Sequence, residues 1–161
     1  SGLVVAGDGA EAENLHQLAS SLGCAGAVSF LGFRKDFIAV IKACDALVVP
    51  SRSEGFGRVA LYAMAAGLPV AGSRAGGIPD VVADGETGVL APPGDEAALA
   101  AALDRVAADP GTARLWGEQG KARVREEFTV ERMVSGTLAV FEKVLANRSE
   151  SCEDSASHPP A

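Results

Sequence analysis

The chain has 161 residues, 48% of them hydrophobic and 22% charged, a balance that fits one soluble globular unit able to bury its own core. A formal net charge of −7 argues against a general nucleic-acid binder, which needs a basic face, and no apolar run reaches the roughly 18 residues of a membrane span. Three cysteines, Cys24, Cys44 and Cys152, lie far apart without C-x-x-C spacing, which points to a reducing cytosol rather than a disulfide or zinc framework.

Leu3-Val4-Val5-Ala6 already reads as a buried strand, and there is no initiator Met. A domain seldom opens in mid-sheet, so the expectation is a fragment truncated at its start. Further strands are expected at 28–31, 46–49, 69–71 and 88–90. All are short, apolar and without period-two alternation, the pattern of strands covered on both faces. Helical stripes separate them, first Leu15, Leu18, Ala19 and Leu22, then Phe37, Val40 and Ile41. Each connection is long enough for a crossover. The prediction is therefore an α/β fold, a Rossmann-like parallel sheet with flanking helices and right-handed connections.

After Leu90 the pattern turns wholly helical. Asp95 is the expected N-cap after Pro92-Pro93-Gly94, with Leu99, Ala102, Leu103 and Val106 as the buried stripe. Asp109-Pro110-Gly111 is a stop, and a less regular helix runs to about Phe128. Thr129 then caps a last helix with Val130, Met133, Val134, Leu138, Phe141, Val144 and Leu145 on one side. That stripe is expected to pack on the parent fold, because the opposite face lacks the Lys and Arg of a membrane-surface helix. Residues 1–147 thus form one domain. Residues 148–161, rich in Ser, Glu, Asp and Pro, are expected to be a disordered tail.

In open parallel sheets, ligands bind beyond the carboxyl ends of the strands. Glycines gather there: Gly7 and Gly9, then Gly32, then Gly55 and Gly57, then Gly72, Gly76 and Gly77. Four such turns on one rim read as backbone left bare for a ligand, beyond the ordinary use of glycine in tight turns. The segment Pro50-Ser51-Arg52-Ser53-Glu54-Gly55-Phe56-Gly57-Arg58-Val59 carries a strand into a loop with one acid and on into a helix of small residues. Free N–H groups and the positive dipole end at that helix start make a phosphate site. An acid beside an anion site is unfavourable, so Glu54 suits a neutral polyol, accepting hydrogen bonds from sugar hydroxyls. The bland alternative is a helix-start acid answering the dipole.

This segment resembles the donor-site signature of retaining GT-B glycosyltransferases of family 4, the glycosyl transferases group 1 domain. That signature reads P-S-x-x-E-G-F-G, a second Glu eight residues on, and A-M-A-x-G-x-P-V, matched here by Ser51, Glu54, Gly55, Phe56, Gly57 and the run from Ala63 to Val70. The similarity continues through Gly7-Asp8-Gly9, Phe30-Leu31-Gly32-Phe33, Cys44-Asp45-Ala46, Gly76-Gly77-Ile78-Pro79-Asp80, Gly85-Glu86-Thr87-Gly88 and Pro92-Pro93-Gly94-Asp95. It covers nearly everything from Leu3 to Leu145.

The resemblance implies the C-terminal, nucleotide-sugar-binding half of a GT-B enzyme, lacking its first strand and helix. Glu54 would be the catalytic-site acid on the donor hydroxyls. The amides of Phe56 and Gly57 would face the sugar, those of Arg58 and Val59 the diphosphate, and Gly32-Phe33-Arg34 would border the base. The implied reaction is hexosyl transfer, with retention, from a donor such as a UDP- or GDP-hexose to a polysaccharide, glycolipid or other glycoconjugate. It would need no metal and no further cofactor, only positioning and stabilisation of the leaving diphosphate. The acceptor would come through a missing N-terminal domain, so the fragment alone is expected to be inactive. The implied setting is cytoplasmic, with peripheral attachment at the inner membrane face as an option.

Two departures stand out. The family's second glutamate, which accepts from ribose hydroxyls, falls at Tyr62. Losing charge-assisted bonds there costs on the order of 1.5–3 kcal/mol, about ten- to a hundredfold in affinity. The basic pair that neutralises the diphosphate in the family would precede Ser1. A non-catalytic GT-B-like binding or interaction module is therefore one alternative. Another is an NADP-binding Rossmann domain, since Gly7-Asp8-Gly9-Ala10-Glu11-Ala12 fits G-x-G-x-x-A and Arg34 would suit a 2′-phosphate. His16 and His158 lack metal-spaced partners and read as solvent-facing, and Trp116 reads as a packing anchor.

Overall fold

The structure is a computed structural model that describes the backbone of residues 2–156 and the side chains of residues 2–147. Strands and helices alternate in the expected order. β1 (Leu3–Ala6), α1 (Ala12–Ser21), a 3-10 turn (Ala25–Ala27) and β2 (Val28–Gly32) come first. Then follow α2 (Phe37–Lys42), β3 (Leu47–Val49), α3 (Arg58–Ala65), β4 (Val70–Ser73), the short α4 (Ile78–Val81) and β5 (Gly88–Ala91). The chain continues through α5 (Glu96–Ala108), α6 (Pro110–Glu127) and α7 (Val130–Ala156).

Every strand pair is parallel, but the strands do not form one sheet. β1 and β2 make a two-stranded ladder with Leu3 opposite Val28, while β3-β4-β5 make a separate three-stranded sheet with Val70 between Leu47 and Gly88. One edge of β1 and one edge of β3 carry no ladder, which corrects the expectation of a continuous sheet. Backbone pairing needs a neighbour on each side, and a strand's apolar composition does not supply one.

The core sits in the second sheet. Side chains alternate across a strand, so Val70 and Leu90 face one layer while Ala71 and Val89 face the other. The first layer is closed by Ala60, Ala63 and Met64 of α3 and by Ile78 and Val81 of α4. The second is closed by Ala102, Val106 and Trp116 of α5 and α6, so Trp116 is the packing anchor its position implied. Full burial of a side chain such as Met64 stabilises by roughly 1.5–3 kcal/mol. Gly117 lets α6 lie flush on the α3–β4 turn, because a Cβ there would collide with the Gly67 carbonyl oxygen.

The helix starts expected at Asp95 and Thr129 are present, and Asp109, read only as part of a stop, caps α6 as well. Asp95 accepts from the Ala98 N–H at 2.9 Å, Asp109 from those of Gly111 and Thr112, and Thr129 from that of Arg132 at 3.2 Å. Cover on both faces holds for β4 and β5 but not for the first ladder, where Leu3 is 49% and Val4 41% exposed. In α1 the stripe residues Leu15, Leu18 and Leu22 are exposed and only Ala19 is buried. The apolar side of α7, including Met133, Leu138 and Phe141, is exposed too, so it does not pack on the rest of the described chain as expected. The α7 backbone runs on across residues 148–156, the part of the chain assigned to a tail, where no Pro or Gly interrupts it. Extending a helix adds one hydrogen bond for each residue ordered. Residues 157–161 lie outside the described residues.

Candidate functional site

β3 ends at Val49, and the loop after it turns into α3 through Gly57, whose φ of 82° favours glycine. Glu54 is half-buried and held on three sides. Its Oε1 accepts from the Gly57 N–H at 3.2 Å, its Oε2 from the Ser51 hydroxyl at 3.4 Å, and its main-chain carbonyl from the Gly77 N–H at 3.2 Å. The carboxylate therefore lies within the loop and not in the apolar interior. A free N–H at a helix start needs an acceptor, and Glu54 provides one for Gly57. The Gly57 amide, expected to face a sugar, is thus engaged inside the protein. Those of Phe56, Arg58 and Val59 have no acceptor among the described residues. The Arg58 side chain is exposed and forms no ion pair among the described residues.

The glycines divide into two kinds. A Cβ at Gly7, Gly9, Gly32 or Gly55 would meet open space, as bare backbone should. At Gly76 it would collide with the Glu54 carbonyl, and at Gly77 it would lie 2.7 Å from the Gly55 carbonyl oxygen. Gly72 packs on Ile78 and Leu90. The fourth turn is therefore glycine-rich to support the Glu54 loop from beneath, which corrects its assignment as ligand-facing backbone.

Gly7, Gly9 and Gly32 surround a cavity of about 240 Å³ that Asp8, His16 and Phe30 also line. The Gly7 N–H donates to the Gly32 carbonyl at 2.9 Å and closes this rim. His16 is exposed, yet its ring lies against Phe30 with centroids 3.8 Å apart and planes tilted by 32°, a contact its helical position did not reveal. Among the described residues no hydrogen bond or ring contact joins Gly7 or Gly9 to the 51–59 loop.

Phe33 is 72% exposed at the following turn. Arg34 forks onto Asp36, Nε to Oδ1 at 2.7 Å and Nη2 to Oδ2 at 2.6 Å, and the guanidinium holds the Asp36 carboxyl below the ordinary carboxylate range. Both side chains are about half exposed, so this is a weak surface pair that leaves the guanidinium within reach of solvent. The link from this turn to α3 is aromatic: the Phe37 and Tyr62 rings meet edge-on at 5.3 Å and 64°. Phe56 likewise meets Phe128 at 6.2 Å and 66°. Sequence reasoning missed Phe128, because a Phe before a helix cap signals only a helix end. Among the described residues no cluster of His, Cys, Asp and Glu is placed to hold a metal, and no helix is long and apolar enough to cross a membrane.

The family model for glycosyl transferases group 1 matches residues 2–123. The chain belongs to the glycosyl transferases group 1 family. This group 1 chain is 46% identical over 140 residues to a D-inositol 3-phosphate glycosyltransferase of Stackebrandtia nassauensis, covering 85% of the chain and 31% of that protein. Among solved structures it is similar to sucrose-phosphate synthase of Thermosynechococcus elongatus, at 36% identity and a TM-score of 0.78, covering 90% of this chain and 39% of that one. It is also similar to HepE of Anabaena in complex with UDP-glucose, at 31% identity and a TM-score of 0.78, covering 86% of this chain and 41% of that one. The chain thus spans well under half the length of these relatives, and its fold is that of the C-terminal half of GT-B glycosyltransferases.

Proposed function

We propose that this chain is the donor-binding half of a hexosyltransferase that uses a nucleotide-diphosphate sugar. The observation that carries the reading is the pairing of Glu54 with the unengaged amides of Arg58 and Val59 at the start of α3, next to the unengaged amide of Phe56 in the loop before it. Donor N–H groups and the helix dipole suit a diphosphate, and a carboxylate beside them suits sugar hydroxyls. The Anabaena relative in complex with UDP-glucose supports a donor of this class.

In the proposed reaction the bond between the anomeric carbon and the β-phosphate oxygen breaks, and its electron pair leaves on the diphosphate. An acceptor hydroxyl of a polysaccharide, glycolipid or other glycoconjugate bonds to that carbon with retention, and its proton departs with the diphosphate. The amides at α3 stabilise the charge that develops on the leaving group, while Glu54 fixes the sugar. A further domain presents the acceptor.

Calorimetric titration of the intact protein with UDP, UDP-glucose and GDP-mannose tests the reading. Micromolar binding of at least one, and loss of the sugar-dependent part in Glu54→Gln, is the expected result. Absence of binding to all three rejects it.

A further inference from the structure

We infer that Arg123 and Phe128 are positioning residues that set the Glu54–Phe56 side of the donor loop, and so govern how tightly the sugar of a bound donor is held apart from its nucleotide. The inference rests on the donor-site reading above.

Arg123 lies in the last turns of α6 and reaches across the fold. Its Nε donates to the Val81 carbonyl at 3.0 Å and its Nη2 to the Asp80 carbonyl at 2.9 Å. These carbonyls end α4, a helix too short to satisfy them internally. Its Nη1 donates to Glu127 at 3.0 Å, which fixes the guanidinium in its own helix. The near end of α4 follows Gly76 and Gly77, the pair that presses against the Glu54 and Gly55 carbonyls. α4 is therefore a shelf beneath the acid loop, and Arg123 holds its far end.

A second route meets the same loop from the other side. The Arg123 guanidinium lies 5.7 Å from the Phe128 ring centroid, and the edge of Phe128 meets Phe56. One cation thus braces the loop through α4 and again through Phe128. Neither route ends on the amides of Arg58 and Val59, on which a diphosphate depends, although Ile78 of α4 lies next to Gly57 just before them. Disturbing Arg123 should therefore move the sugar-facing groups more than the diphosphate-facing ones.

The test is a paired titration of the intact protein with UDP and with UDP-glucose, alongside thermal melts. In Arg123→Met the affinity for UDP-glucose should fall about three- to tenfold relative to that for UDP. Arg123→Lys should not restore it, because a point charge cannot fork onto two carbonyls. Phe128→Leu, which keeps an apolar side chain, should shift the ratio the same way by a smaller factor and gives a second variant should Arg123→Met not fold. A purely structural Arg123 would weaken both ligands by one common factor or lower only the melting temperature, and either result overturns the inference. Failure of the unaltered protein to bind any of UDP, UDP-glucose and GDP-mannose would remove the donor-site reading, and this inference with it; a protein that binds only GDP-mannose is read by the same ratio against GDP. UDP binding with an unmoved ratio would remove this inference alone.

Discussion

The two parallel sheets are built from similar sequence and reach different ends. β1 and β2 are as apolar as β4 and β5, yet Leu3 and Val4 stay exposed while Val70 and Ala71 are wholly buried. The second sheet has helices on both faces, α3 and α4 on one and α5 on the other, with α6 packing against both layers. The first has only a ladder and α1, whose leucines face outward. An apolar run states a demand for cover, and a covered strand needs a partner layer as well. The Glu54 loop lies where that demand is met, at the end of β3, resting on α4.

The largest expected effect breaks the better-packed half at its tightest point. Gly76→Val, with a φ of 51° and a collision with the Glu54 carbonyl, should cost more than about 4 kcal/mol in urea unfolding and abolish UDP-glucose binding. Next, Met64→Ala should cost about 2–5 kcal/mol, while Leu18→Ala, 51% exposed, should cost under about 1 kcal/mol. Equal losses would mean that the first ladder is packed in solution, and native-state hydrogen exchange slower in β1 than in β4 would say the same.

A smaller effect is expected where the halves meet. Tyr62→Glu removes the edge contact with Phe37, worth about 0.5–1.5 kcal/mol, and supplies a charged acceptor. UDP should then bind about tenfold more tightly, as calorimetry can read, since charge-assisted bonds are the stronger ones. Unchanged affinity would place the ribose away from Tyr62.

The smallest effect concerns pH. The Thr112 hydroxyl and nearby amides hold the Asp109 carboxyl below its usual range, as Arg34 does for Asp36. A depressed folded pKa contributes stability above the ordinary carboxylate range, and that contribution is lost as pH falls through the folded value. Both groups are exposed, so the loss should be slight. Asp109→Asn should flatten the acid limb of a stability–pH curve, and an unchanged limb would show that this carboxylate does not report on folding.

Much of this was legible in the chain. The strand positions, the caps at Asp95 and Thr129, and Glu54 at the mouth of a helix all follow from local chemistry, because apolar period, capping oxygens and glycine turns act over a few residues. The role of Gly76 was not legible, since a glycine kept bare for a ligand and one kept bare for a neighbouring carbonyl are spelled alike. Nor does the sequence reveal that Arg34 forks onto Asp36, two residues on. His16 looked idle until Phe30 came under its ring.

Residue order was enough to state an α/β alternation, the helix starts at Asp95 and Thr129 and an acid-bearing loop, because each depends on forces between close neighbours in the chain. The division of the strands into two ladders, the shelf beneath Glu54 and the brace at Arg123 depend on groups far apart in sequence, 42 residues in the case of Arg123 and Val81. Such contacts are set by packing and by the need of buried carbonyls for donors, and they exist only once the layers have closed.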